Sequence, residues 1–413
     1  MKRFTLKAVF GFVIFALIAL SSAQAKVRTL VVPRFCDFSG PYANLMKITL
    51  PAGDAIGKWW NETEGKQLGI EIQFKNYDTR YDATVVASMW PGILAEKPVV
   101  VAGLGGPDVA ALQQRLPKDK VPIIYSPAAY GFAWLPDQWI FHPRPTYAHE
   151  LIAGLDFFIK QHPEKRPVRV ALMSTQASIA YIDMMNGIEK YVKEVLEPKG
   201  LATIVAKEWM EIQPVDISSQ YRTVMEKKAD VVFGPGNSAM AAAYIRAQQL
   251  FGTSIPTIGS PHHTIWPLGA AMKTFAPWEG HYVVGAVVNS SVKEGPAYDF
   301  FKYLQKQYKL PDVIWSPFGI LGLSQTMLLV RSIEHTAKRV GADNITGQAV
   351  YDTLLSSTIT EKELMGILPD QHFTREAPFT LTDLKLQIGT VKNGRYQLAV
   401  PGWYPIPSDI KPW

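Results

Sequence analysis

The feature that most limits the folds open to this chain is a β-α alternation that runs through one half and then starts again. β-branched runs at 28–33, 70–77, 98–102 and 121–125 read as strands, and the stretches between them at 42–64, 82–96 and 107–116 carry helical spacing. After the Pro-rich stretch Phe141-His142-Pro143-Arg144-Pro145 the series resumes. Strands then fall at 168–173, 202–209, 230–233 and 255–258, with helices at 147–161, 179–196, 217–228 and 238–251. This alternation predicts parallel sheets covered by helices, an α/β architecture, and the restart predicts two similar lobes. The tail breaks the simple order: a strand at 282–288, helices at 296–308 and 320–339, then two strands flanking Lys392-Asn393-Gly394, where Asn-Gly favours a tight hairpin. A chain that crosses between lobes more than once, so that its tail completes both, accounts for this.

The amino terminus carries Lys2, Arg3 and Lys7, an apolar run over 8–20, and the small-residue sequence Ala23-Gln24-Ala25. That is the order of a secretory signal peptide over 1–25 with an A-x-A cleavage site. The run is roughly 13 residues, against about 20 needed to span a bilayer. The mature chain is expected to be periplasmic and soluble, and the single Cys36 stands too far from the run to carry a lipid tether. Loss of Lys2, Arg3 and Lys7 lowers the formal charge of +6 to about +3. Lys and Arg are scattered, which argues against a nucleic-acid partner.

Three strand-to-helix turns in the first half are rich in small residues: Ser39-Gly40-Pro41-Tyr42, Gly103-Leu104-Gly105-Gly106-Pro107-Asp108 and Ser126-Pro127-Ala128-Ala129-Tyr130. Backbone N–H groups at such helix starts lack partners and accept polar ligand groups, and in open α/β sheets ligands sit beyond the strands' carboxyl ends. Gly234-Pro235-Gly236-Asn237-Ser238-Ala239 fits G-x-G-x-x-A, but no acid follows near 255–260 and Pro235 removes a donor, so a dinucleotide site is not expected. No cofactor is expected. His262-His263 and His281 lack the companions of a metal set. Neither G-x-S-x-G nor a P-loop occurs, so no enzyme is expected.

Tyr42, Tyr77, Tyr81, Tyr130, Trp134, Tyr181 and Trp266 fall near the strand ends. Most are assigned to packing, with Tyr130 and Tyr181 placed in the cleft. Arg144, in the Pro-flanked crossover, is the best candidate to pair with a carboxylate, against the alternative of a surface or hinge salt bridge.

Together, Ser39-Gly40-Pro41-Tyr42-Ala43, Tyr77-Asp78-Thr79, Val121-Pro122-Ile123-Ile124-Tyr125-Ser126-Pro127-Ala128-Ala129 and the Gly394 hairpin resemble the type I periplasmic binding proteins of the leucine/isoleucine/valine-binding kind. The resemblance implies two Rossmann-like lobes joined by three crossovers. It implies a protein that closes on a small-molecule ligand and delivers it to the permease of an ABC transporter, acting as a monomer. On it, 26–143 plus 283–373 form lobe 1, and 144–282 plus 374–413 form lobe 2. It assigns ligand contacts to Ser39, Tyr42, Gly106, Asp108, Ser126, Ala128, Tyr130, Tyr181, Asn237 and His262. The family's small hydroxyl residue after the third strand is matched only by Gly106-Pro107-Asp108, its Thr by Tyr130, and its ammonium-pairing acid falls at Gly259-Ser260-Pro261-His262, where no carboxylate stands. An unpaired charged end costs several kcal/mol, roughly, in a closed cleft. The expected solute is therefore small and polar or aromatic, not a plain α-amino acid. A sensor that signals to a membrane receptor, or an exported enzyme, are the competing readings.

Overall fold

The computed structural model describes residues 27–125, 137, 139–177, 179–234, 236–261, 265–377 and 379–413. In the first half β1 (Arg28–Cys36), β2 (Ile70–Asp78), β3 (Val101–Ala102), β4 (Ile123–Ile124) and β5 (Ile140–Phe141) pair in parallel in the order β2-β1-β3-β4-β5. The helices α1 (Ala43–Trp60), α2 (Ala83–Ala95) and α3 (Gly106–Leu112) connect them. Strands β3 and β4 are buried on both faces, which is why they read as continuous apolar runs without alternation.

The second half repeats the plan. Helix α4 (Tyr147–Gln161) leads into β6 (Val168–Ser174), α5 (Ile179–Tyr191), β7 (Ala202–Trp209), α6 (Ser218–Glu226), β8 (Val231–Phe233), α7 (Ser238–Phe251), β9 (Thr257–Gly259), α8 (Ile265–Met272) and β10 (Tyr282–Gly285). The chain then builds α9 (Pro296–Tyr308), α10 (Pro317–Val340) and α11 (Gly347–Ser356). It ends in β11 (Lys385–Lys392), β12 (Arg395–Leu398) and β13 (Tyr404–Pro405). The second sheet runs β12-β11-β10-β9-β8-β6-β7, parallel from β10 to β7, with β11 antiparallel on β10 and β13 paired to β11. The β11–β12 turn has positive φ at both Asn393 and Gly394 (54° and 68°), the conformation that its sequence favours.

Side-chain caps fix several helix starts. Asp82 accepts from the N–H of Thr84 and Val85, Thr146 from His149, and Asn237 from Met240. The tail serves both sheets. Tyr351 of α11 stacks on Trp139 beside β5, with ring centroids 4.0 Å apart, and the almost wholly buried α10 packs along α1. Meanwhile β10 to β12 complete the second sheet. The expected strand 282–288 stops at Gly285, so all of β10 lies in the second sheet and the chain leaves it after Gly285, not at 283. The reason is visible in the hydrogen bonds: the N–H of Ala286 goes to Glu150 Oε1 (2.8 Å) and that of Asn289 to Gln387 Oε1 (2.6 Å), in place of a neighbouring strand. Among the described residues no helix is long and apolar enough to cross a membrane.

Candidate functional site

In each sheet the strand order reverses direction once, between β1 and β3 and between β6 and β8. A crevice opens beyond the carboxyl ends at such a switch point. The first is walled by 36–42 and 103–108, the second by 174–177, Gly234, Gly236 and Asn237.

At the first switch point, carboxylates hold the loops from within. Asp37 accepts from the N–H of Gly40 (2.5 Å) and Tyr42 (2.7 Å). Asp78 accepts from the N–H of Phe38 (2.9 Å) and from Ser39 Oγ (2.8 Å), so the Ser39 hydroxyl braces the ends of β1 and β2. Fully buried Asp108 turns Oδ2 back onto the N–H groups of Leu104 and Gly105, closing its own turn. Burial pushes its carboxyl up to about 7 against the pull of those two donors. Gln325 of α10 reaches in beneath and donates to the carbonyls of Gly103 (2.5 Å) and Ile124 (2.8 Å), tying β3 to β4.

Tyr81, which sequence alone assigns to packing, has a larger part. It follows Arg80, and both hold left-handed backbone, φ 53° and 52°, a conformation that is strained for bulky side chains and that clusters at functional sites. The turn lays the Tyr81 ring on Gly105, where a Cβ would come within 2.0 Å of the ring edge. Gly105 is required by that approach. The hydroxyl meets the N–H of Gly106, and the ring centroid of Tyr42, whose hydroxyl interacts with that of Tyr81, lies 4.5 Å from that of Tyr81. The helix start at Gly106 is thus covered by the chain's own tyrosine.

Across from it stands Tyr181 of α5, buried, its hydroxyl donating to the carbonyl of Gly236 at 2.5 Å. Burial raises the pKa of Tyr181, and Tyr42, Tyr147 and Tyr81 each add to the shift. Four tyrosines from the two halves therefore lie within electrostatic reach of one another. Asn237 is committed to capping α7 and to the carbonyl of Ile212 (2.8 Å). In the G-x-G-x-x-A segment, Gly234 has φ 104°, and a Cβ there would lie 1.9 Å from the Met173 carbonyl oxygen. The glycine serves strand packing. Ser126, Ala128, Tyr130 and His262 lie outside the described residues.

Arg144 carries a buried salt bridge. Its Nε and Nη2 donate to the two carboxylate oxygens of Glu150 at 2.8 and 2.6 Å, with both side chains buried. Burial works against the charged form of Arg144, and Glu150 more than offsets it, so the guanidinium pKa stands above its usual value. Trp266 of α8 meets Phe318 of α10 edge-on at 6.2 Å, another contact between elements of the two halves. Among the described residues no His, Cys, Asp and Glu gather as a metal site would need.

This geometry has counterparts. A branched-chain amino acid ABC transporter protein from Thermus thermophilus with bound valine superposes with a TM-score of 0.72 at 16% identity, covering 90% of this chain and 96% of that one. An ABC transporter substrate-binding protein from Aeropyrum pernix gives 0.76 at 16% identity over 93% and 97%. A solute-binding protein of an ABC transporter from R. palustris in complex with benzoate gives 0.70 at 17% identity over 92% and 98%. No curated protein matches the sequence significantly. The sequence profile described as periplasmic binding protein matches residues 30–383, and the chain belongs to that family.

Proposed function

We propose that this protein is the solute receptor of an ABC importer, working in the periplasm after removal of residues 1–25. It takes a small polar or aromatic solute between the carboxyl edges of its two sheets and passes it to a membrane permease. The two lobes close about the crossovers near Arg144, near Ala286 and before β11, a hinge motion.

The observation that carries this reading is the set of tyrosines, Tyr42, Tyr81, Tyr147 and Tyr181, contributed from both sides of one crevice at the two switch points. Their rings give a flat apolar surface with polar tips. The carboxylates Asp37 and Asp78 at strand ends and Glu150 in α4 accept hydrogen bonds from the chain's own donors through both of their oxygens. Buried Asp108 is pushed toward its neutral form. Among the described residues the one of these carboxylates with an unbonded oxygen is Asp108, which burial turns toward the neutral form, so the ammonium of an α-amino acid is poorly served there. The relatives with bound valine and with benzoate show that this fold accommodates both kinds of solute, and the tyrosines favour the aromatic kind.

A thermal-shift screen of the mature protein against amino acids, amides, aliphatic dicarboxylates and aromatic acids tests the proposal, since a solute bound only by the native state raises the apparent Tm. A hit outside the branched-chain amino acids is expected, weakened by Tyr181→Phe with the fold retained. Tight leucine binding would overturn the ligand class, and turnover of the bound compound would overturn the receptor reading.

A further inference from the structure

Two buried donors on the second sheet's carboxyl edge have no hydrogen-bond partner among the described residues: Arg144 Nη1 and Ser174 Oγ. The Arg144 guanidinium lies between Ser260 just beyond β9, whose Oγ is 3.4 Å from Nη2, Gly285 at the end of β10, and the ring of Tyr147 at 5.9 Å. Ser174 ends β6, beside the switch point. Strand β8 lies between β6 and β9 in the same parallel sheet, so both donors stand on one carboxyl edge.

The charge of Arg144 is already matched. Glu150 takes Nε and Nη2, and its Oε1 also accepts the N–H of Ala286. A second carboxylate at Nη1 would set two anions on one buried guanidinium and leave a net charge out of water, whereas a neutral oxygen satisfies Nη1 with no unmatched charge. Resting on the receptor reading above, the geometry points to a specificity rule. The solute presents a neutral carbonyl, a carboxamide or its equivalent, to Arg144 Nη1 and a hydroxyl or other polar group to Ser174 Oγ, with its ring among the tyrosines.

The test is a matched pair, 4-hydroxybenzamide and 4-hydroxybenzoate, titrated calorimetrically into the intact mature protein. The amide is expected to bind at least about tenfold more tightly, the range of one hydrogen bond to a charged group. Arg144→Lys, which keeps a cation opposite Glu150 but lacks Nη1, should remove that preference. Ser174→Ala leaves the ion pair intact and should weaken the amide by a similar factor, so the proposal stays testable if Arg144→Lys does not fold. Tighter binding of the benzoate, binding of neither compound, or unchanged affinity in Ser174→Ala would each overturn it. Mass spectrometry of the solute released on unfolding separates the two readings: a released carboxylate sinks the neutral-carbonyl rule and leaves the receptor standing, and a protein that never carries or binds a solute sinks both.

Discussion

Breaking the Arg144–Glu150 pair from one side should be among the costliest single changes outside the apolar core. Both side chains are out of water, at 0% and 1% exposure, and the contact is bidentate. Glu150→Gln keeps an acceptor for the N–H of Ala286 but strips the guanidinium of its counter-charge. An uncompensated buried charge costs about 3–5 kcal/mol, which multiplies the unfolded fraction by roughly two to nearly four powers of ten. Arg144→Met alone should cost a similar amount, because it strands the carboxylate. Combining the two removes both charges and leaves chiefly the imperfectly met side-chain amide introduced in place of Glu150, worth about 1–3 kcal/mol. The double variant should therefore be more stable than either single one. Urea unfolding followed by far-UV circular dichroism and by tryptophan fluorescence supplies the four free energies, with coincident curves as the condition for using them. The coupling should exceed about 3 kcal/mol in magnitude. Additivity within about 0.5 kcal/mol would refute the claim that the pair is a neutral buried unit.

Gly105→Ala should displace the Tyr81 ring, 2.0 Å from the new Cβ, and lower solute affinity, with Tyr81→Ala in the same chain restoring stability; a Gly105→Ala protein with wild-type Tm and affinity would refute the approach. Asp108 has a folded pKa raised to about 7, so its contribution is present at low pH and lost as pH rises through 7. Asp108→Asn should stabilise the protein relative to the parent by on the order of 3 kcal/mol at pH 8 and little at pH 4, as chemical unfolding at the two pH values will show. His149 and His281 are buried with pKa lowered to about 3, so stability present above the ordinary value of 6.5 should fall away between pH 6.5 and 3. His281→Gln, which retains a partner for Thr257, should flatten that slope by one proton.

The element order was legible because burial wrote it into periodicity. Helices 147–161, 238–251 and 296–308 and strand 202–209 coincide with α4, α7, α9 and β7. What escaped were elements whose pattern is too short or too mixed: two-residue β5, α8 and α11. The overlong strand at 282 failed for a definite reason, since its apolar residues continue past Gly285 while the N–H of Ala286 turns to Glu150 and that of Val288 to the carbonyl of Ile367. In the candidate site, the Pro-flanked setting of Arg144 suggested a salt bridge only in general terms, and its buried partner Glu150 carries no local mark. Tyr81 was hidden for the opposite reason. Its role depends on two successive left-handed residues, and Arg-Tyr gives no sign of that conformation where Gly or Asn would.

The division of labour among polar groups decides how such a crevice can work. Asp37, Asp78, Asn237 and Gln325 each direct hydrogen bonds to loops or strand ends of their own half, so the walls at both switch points are held without help from a solute. A wall already ordered does not charge its ordering to binding, a saving of about 0.5–1.5 kcal/mol for each side chain that need not be immobilised. The bonds that join different crossovers are of another kind. Glu150 takes the N–H of Ala286 and Gln387 that of Asn289, side-chain acceptors standing in for strand ladders at the places where the chain passes from one sheet to the other. A side chain can follow a backbone that turns by some degrees, which a ladder cannot do without losing register. The proposed lobe closure would therefore bend at the crossovers, where the buried Arg144–Glu150 pair sits.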